Sequence, residues 1–441
     1  MFDTALSRRT LLGGLAAGGA LALVGCSSDD SPSGTQSASG GVVGSDQLSI
    51  YAWTNGPTID ANFKKRVELF NTEYKGKFTA KITFLPYDQY WQKIQLQYAA
   101  NKPFDMYFWD VQAYAHYKKN LVLDNQPEIA KTDMMDAAKY PVNLYDPWKF
   151  DGKDLYAIPE NVQTEAFYYN KDHFDQAGLS YPDDTWSYDQ VIDAAAKLKQ
   201  TKNGKVTRWG FDIGDFGVWW GLQALSWAAG TAFIDNPVEP KAFTIDNPGN
   251  IEAMRFVQDL MWKSKVAPNP DQRTAMSQQS GAFVSGAVSM MPGGTWNIAG
   301  FQQMKAKWGM TALPKYKGQS VTPYFLGGWV IPKKSNAITA AQTFAVWSAT
   351  TFQSQMAKDH DWIPLETAAR TSKEMVSGMP DGFEAAMKAI PKARIGDFYT
   401  ANTQQIWNEV FTPALDDLYN NRATPEATAA RMQKGASALL T

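Results

Sequence analysis

The sequence predicts an α/β protein of two domains, and three observations predict it. The first is length: a chain of 441 residues exceeds what one hydrophobic core covers well, and chains of this size divide. The second is balance, since 44% hydrophobic and 20% charged residues are ordinary for a soluble globular protein. The third is order: strand and helix alternate from Leu48 to Trp109, the pattern of a doubly wound lobe built on a mainly parallel sheet.

Leu48, Ile50 and Ala52 alternate with polar residues and predict a first strand that ends at Trp53. The turn Thr54-Asn-Gly-Pro57 leads into a helix with Ile59, Phe63, Val67, Phe70 and Tyr74 on one face. Lys81–Leu85 reads as a second strand, and Trp91, Ile94 and Tyr98 mark the helix after it. Phe104–Trp109 is a nearly continuous apolar run, a third strand that ends in Asp110. Sheets of this kind bind ligands beyond the carboxyl ends of their strands. Trp53, Tyr87 and Asp110 each fall just past such an end, so they are candidates for a site.

The stretch Asp151–Lys199 follows, with a strand at Tyr156–Pro159, an aromatic run at Ala166–Tyr169, and a helix whose start is written in the sequence. Ser187 caps that helix and Gln190, three residues on, reaches back to complete a capping box. Val191, Ala194, Ala195 and Leu198 then recur at helical spacing. Helices are also expected at Trp219–Ala229, Gly249–Lys265, Ile298–Lys307 and Ala341–Gln355, with a helix-rich tail after Leu365. The glycine-rich turn Met291-Pro-Gly-Gly-Thr-Trp-Asn297 lacks the Lys-Ser/Thr ending of a phosphate loop. Glycine beside Trp296 lets a ligand approach the backbone while packing on an indole.

The N-terminus reads as an address. Ser7-Arg-Arg-Thr-Leu-Leu12 sets two arginines ahead of a Gly/Ala-rich apolar run, a twin-arginine type export signal too short for a comfortable membrane span. Leu23-Val-Gly-Cys26 resembles a bacterial lipobox, which implies lipidation of Cys26, the only cysteine in the chain. Residues 1–26 are therefore expected to be a signal peptide, and residues 27–46, rich in Ser, Gly and Asp, a flexible tether. The expectation is a protein anchored to the outer face of the cell membrane and not spanning it.

Several segments resemble the extracellular solute-binding proteins of ABC importers, in their carbohydrate-binding branch. They are Gly152-Lys-Asp-Leu-Tyr-Ala-Ile-Pro159, Tyr168-Tyr-Asn-Lys-Asp172, Phe174-Asp-Gln-Ala-Gly178, Tyr181-Pro-Asp-Asp-Thr-Trp186 and Phe283-Val-Ser-Gly-Ala-Val-Ser-Met290. The resemblance spans roughly residues 47–435 and implies a two-lobe, periplasmic-binding-protein-like α/β fold with a multi-strand hinge and a cleft between the lobes. On that pattern residues 47–159 and 312–362 form one lobe, and residues 160–311 and 363–441 the other. It also implies a ligand-closing receptor, a monomer, that hands a sugar to a membrane permease. Family members place aromatic and polar contacts on the crossing segments. On the crossings here stand Asn161, Gln163, Trp296, Trp329 and Trp362, with Asp110 at the position of the family's carboxylate for sugar hydroxyls; Trp219 and Trp220 on a helix and Arg394 in a loop of the tail are further candidates.

Other chemistries find little support. Lys+Arg 42 against Asp+Glu 44 leaves a net charge of −2 and no basic field for nucleic acid. His116, His173 and His360 stand far apart, without metal-ligand spacing, and no G-x-S-x-G elbow or dinucleotide fingerprint is present. Neither cofactor nor metal is expected. The acidic pairs Asp183-Asp184 and Asp416-Asp417 read as turn or helix-surface charges, so binding without turnover is favoured over glycan hydrolysis. A receptor for another solute, such as a glycerol phosphodiester or a peptide, is the alternative. The site is expected to be concave and aromatic-walled, with sugar C–H faces on indole and hydroxyls paired to Asp110, Asn161, Gln163 and Arg394.

Overall fold

A computed structural model describes residues 45–108, 111–150, 154–276 and 279–440. The predicted first lobe opens as the alternation demands: β1 (Gln47–Trp53), α1 (Pro57–Glu73), β2 (Thr79–Leu85), α2 (Tyr87–Ala99) and β3 (Met106–Phe108). β1 pairs in parallel with both β2 and β3. α1 turns Ile59, Phe63, Val67 and Phe70 into the core, and Arg66 with them.

The rest of the main sheet is built on β4 (Ile158–Asn170), whose residues are all buried. Sequence reading divides this stretch in two, because Glu160, Asn161, Gln163, Thr164 and Glu165 interrupt its apolar pattern. The structure makes it one strand of 13 residues, long enough to serve two neighbourhoods. Its first half pairs antiparallel with β7 (Pro323–Val330), and its second half pairs antiparallel with β5 (Met290–Gly294) and β6 (Trp308–Thr311). β7 also pairs with β3, and with the short strand β8 (Arg394–Ile395), so the strand order is β6-β4-β7-β3-β1-β2. A parallel nucleus is thus continued by antiparallel crossing strands.

A third crossing runs beside β4. Val162 donates its N–H to the Ile363 carbonyl at 3.1 Å, and Leu365 donates to that of Glu160 at 3.2 Å. The register of β4 against β7 shifts between Gly327 and Gly328, which leaves Glu160 as the extra residue of a bulge. Both glycines are needed there. A Cβ on Gly328 would stand 2.3 Å from the Ile158 carbonyl oxygen, and one on Gly327 would stand 2.5 Å from Asn161 Nδ2.

Beyond the crossing lie α3 (Tyr188–Leu198), α4 (Trp219–Ala228) and α5 (Pro248–Trp262). The capping box of α3 forms: the Gln190 N–H donates to Ser187 Oγ at 3.4 Å and the Ser187 N–H to Gln190 Oε1 at 2.9 Å. Two hydrophobic cores result. One gathers Phe63, Phe70, Phe108, Trp329, Phe344 and Trp362 around β1, β3 and β7, and the other gathers Phe167, Leu198, Trp219, Leu225 and Met254 around α3, α4 and α5. The expected helix at Ile298–Lys307 is a single turn, Ile298–Phe301.

Candidate functional site

Where the three crossings meet, a cavity of about 340 Å³ opens above the sheet. Seven of the residues singled out in the sequence line it together: Trp53, Tyr87, Asn161, Gln163, Trp220, Trp296 and Trp362. Trp53 and Tyr87 come from the ends of β1 and the start of α2, as strand-end binding requires, and meet edge to face with ring centroids 5.6 Å apart. Trp53 is oriented by its own indole N–H, which donates to Asn55 Oδ1 at 3.0 Å. The opposite wall is Trp220 on α4 and Trp296 after β5. Phe325 of β7 stands between them, with centroids 6.1 Å and 5.4 Å away.

The polar floor comes from β4. The Gln163 carboxamide is fixed by the Thr295 hydroxyl, which donates to Oε1 at 2.6 Å, and its Nε2 reaches Asn161 Oδ1 at 3.4 Å. Those partners leave the remaining donor and acceptor capacity of both amides for a ligand. Trp362 and Trp407 also carry buried indole N–H groups without an acceptor among the described residues. An orphan buried donor costs about 1–3 kcal/mol, which a ligand oxygen would restore. Behind the Trp296 wall, burial and the neighbouring Asp215 carboxylate hold the Glu165 carboxyl well above the usual carboxylate range. Asp215 Oδ2 in turn accepts the Gly294 N–H at 3.0 Å, which fixes the turn that presents Trp296.

Under the floor sits an ion cluster. Arg66 of α1, fully buried, pairs with Glu160 at 2.6 Å and with Asp361 at 2.8 Å. Burial pushes the Asp361 carboxyl up to about 6 even though Arg66 alongside acts to lower it.

Three predicted positions fall elsewhere. Trp329 has no exposed surface and lies behind Phe108, with ring centroids 5.1 Å apart; its indole N–H donates to Glu160 Oε2 at 2.7 Å. It is packing for the cavity floor and does not line the cavity. Trp219 is turned into the second core against Phe398 and Phe411, one residue from Trp220 but on another face of α4. Arg394 lines a separate cavity, its guanidinium 4.5 Å from the centre of the Trp227 ring. Asp110 lies outside the described residues, as does Cys26.

Sequence reading missed Asn55, Phe108, Val111, Phe325, Leu326, Gly327, Asp397 and Trp407, all of which line the cavity. Trp407 carries one local sign, a π-helical turn at Ile406–Phe411, a geometry frequent at functional sites. No sequence pattern places it beside Trp220. Among the described lining residues Asp397 is the one carboxylate, whereas glycoside hydrolysis uses two. Also among the described residues, no group of three His, Cys, Asp or Glu side chains is placed to hold a metal ion, and no helix is long and apolar enough to cross a membrane.

Comparison with known proteins agrees with this geometry. The sequence model of the bacterial extracellular solute-binding protein family matches residues 53–351. The maltodextrin-binding protein MdxE of Bacillus subtilis is 25% identical over 247 residues, which are 54% of this chain and 57% of that protein. A galactooligosaccharide-binding protein of Bacillus subtilis is 22% identical over 281 residues, 62% of this chain and 63% of that protein. The chain thus spans 57% and 63% of the length of these curated relatives. Among solved structures, the ABC substrate-binding protein Lmo0181 from Listeria monocytogenes, in complex with cycloalternan, superposes with a TM-score of 0.78 at 21% identity. That superposition covers 88% of this chain and 97% of that one.

Proposed function

The chain belongs to the bacterial extracellular solute-binding proteins, and from that premise we propose that it is the receptor of an ABC importer and binds a sugar or oligosaccharide. The carrying observation is the cavity itself, in which Trp53, Trp220, Trp296 and Trp362 surround the amides of Asn161 and Gln163. Indole faces suit the C–H faces of a pyranose, and amides both donate to and accept from hydroxyls. The names of the two Bacillus subtilis relatives and the cycloalternan complex point to the same ligand class.

In this reading the lobes are residues 47–159 with 312–362 and residues 160–311 with 363–441, and they close on the ligand about the three crossings. The second core draws nearly all of its residues from 160–311 and 363–441, whereas the first draws on all four segments. Closure requires tighter binding to the closed state, which a ligand touching both Trp53 and Trp296 provides. Asp110, just beyond β3 and next to the lining residue Val111, is proposed as a further hydroxyl partner. In this reading the ligand is bound without turnover. Export through the twin-arginine signal, lipidation at Cys26, the tether at 27–46 and a monomeric state complete the proposal.

A thermal-shift screen across a sugar library tests it. A ligand at 100 times its dissociation constant adds about 2.7 kcal/mol of stability. A library in which no mono- or oligosaccharide raises the melting temperature would refute the assignment.

A further inference from the structure

A second cavity, of about 320 Å³, lies along the same elements as the first. Three segments contribute to both. On α4, Trp220 lines the first cavity while Gln223 and Trp227 line the second, recurring at i, i+3 and i+7 on one helix face, about 10 Å from end to end. On β7, Leu326 faces the first and Tyr324 the second. The segment that begins with β8 does the same, with Asp397 at the first and Arg394 at the second.

Two features of this cavity point to a ligand. Gln223 is 1% exposed, yet among the described residues neither its Oε1 nor its Nε2 has a hydrogen-bond partner. Beside it the Arg394 guanidinium rests on Trp227 at 4.5 Å and forms no ion pair among the described residues. Partial burial lowers its pKa. The acidic residue on the rim, Asp235, is engaged elsewhere: its Oδ1 accepts the N–H groups of Asn236, Lys241 and Ala242 at 2.8, 3.1 and 3.2 Å. Tyr324 is also engaged, its hydroxyl donating to the Leu144 carbonyl at 3.3 Å.

A guanidinium stacked on an indole keeps its N–H fork free at the edge, and that fork matches a planar two-oxygen anion. One uncompensated cation balances a single negative charge, which fits a carboxylate better than a phosphate monoester carrying about −1.5 to −2. Gln223 adds a donor for the same group and an acceptor for an adjacent hydroxyl. We propose that the second cavity is a subsite for the carboxylate of an acidic sugar, so that a uronate-bearing oligosaccharide runs from the aromatic cavity to Arg394. This rests on the sugar-binding reading of the first cavity.

Titration calorimetry tests it with neutral di- to tetrasaccharides, their C6-oxidised uronate counterparts and the matching C6-phosphates. The proteins are wild type, Arg394→Gln and Gln223→Leu, each checked by a thermal melt. The uronates bind about tenfold more tightly than the neutral chains to wild type. Arg394→Gln abolishes that gain, so that uronate and neutral chains bind alike, and Gln223→Leu reduces the gain. Equal affinity for neutral and acidic chains overturns the subsite alone, as does a preference that survives Arg394→Gln. A phosphate gain equal to the uronate gain overturns the carboxylate assignment. Wild type that binds none of the three series overturns the sugar-binding reading and the subsite with it.

Discussion

Trp329 and Glu160 are bonded to each other beneath the cavity: the indole Nε1 donates to Glu160 Oε2 at 2.7 Å, and neither residue is exposed. The same carboxylate holds Arg66 at 2.6 Å and accepts from the Ser348 hydroxyl at 2.5 Å. Trp329 is therefore part of the support for the crossing strand. Trp329→Ala should cost about 3–5 kcal/mol of stability. Trp329→Phe, which keeps most of the packing but removes the donor, should cost about 1–3 kcal/mol. Denaturant melts read both, and sugar affinity measured on the folded fraction should be unaltered. A large affinity loss with unchanged stability would return Trp329 to the site.

The neighbouring tryptophans of α4 should behave as opposites. Trp220→Ala removes a cavity wall and weakens sugar binding by about 1.5–3 kcal/mol, roughly ten- to a hundredfold. Trp219→Ala leaves a hole in the second core, lowers the melting temperature and spares affinity. Trp296→Ala should follow Trp220. Calorimetry beside a thermal melt separates the two classes, and a Trp220→Ala protein with wild-type affinity would remove that wall from the site.

His116 and His173 should each contribute a loss of stability as pH drops from about 6.5 towards 4. Burial, with Lys119 nearby, lowers His116 to about 4, and burial, with Arg208 nearby, lowers His173 to about 4. Between an unfolded value of about 6.5 and those values, the unfolded chain binds protons that the folded chain refuses, so acid favours unfolding. Asp361 works the other way. Raised to about 6 by burial, it takes up a proton when folded that it would not hold unfolded until about 3.9. Glu165, held well above the usual carboxylate range by burial and by Asp215, acts with Asp361 in this window, so the histidine share is read by difference. Denaturant midpoints at pH 7 and pH 4.5 in wild type and His116→Asn give it: acidification should cost the variant less stability than it costs wild type.

Cys26→Ala should leave a fully folded protein that no longer partitions with membranes, because no other cysteine exists to serve folding or anchoring. Fractionation after a high-salt wash decides it. Continued membrane association of the variant would show that Cys26 is not the anchor.

The parts of this molecule that the sequence makes plain are those set by local periodicity. α1, α2 and α3 lie where their apolar spacing and the Ser187–Gln190 box place them. The crossing strand β4 is harder to read, because its polar residues are buried with distant partners: Glu160 with Arg66, Gln163 with Thr295. Those partners lie 94 and 132 residues away, beyond any local pattern. Of the predicted site, residues near strand ends or on crossings converge, such as Trp53, Asn161 and Trp362. Trp329 stands on a crossing too, and what removes it from the cavity is a layer of Phe108 in front of it, a fact of three-dimensional depth. Trp407 reaches the cavity only through the packing of the C-terminal helices against α4.

The buried cluster of Arg66, Glu160 and Asp361 has a use for anyone who would re-engineer this receptor. Each carboxylate is the immediate chain neighbour of a cavity residue, Glu160 of Asn161 and Asp361 of Trp362. Removing one partner of such a cluster costs about 3–5 kcal/mol, so its three positions tolerate little change. The adjacent positions face the cavity but also touch the mount: Asn161 Nδ2 donates to Glu160 Oε1 at 3.4 Å, and Trp362 packs on Phe108 with ring centroids 6.0 Å apart. A library kept polar at 161 and 163 and aromatic at 362, with 66, 160 and 361 held constant, would vary ligand choice on a mount that stays still, the arrangement a sensor designer needs.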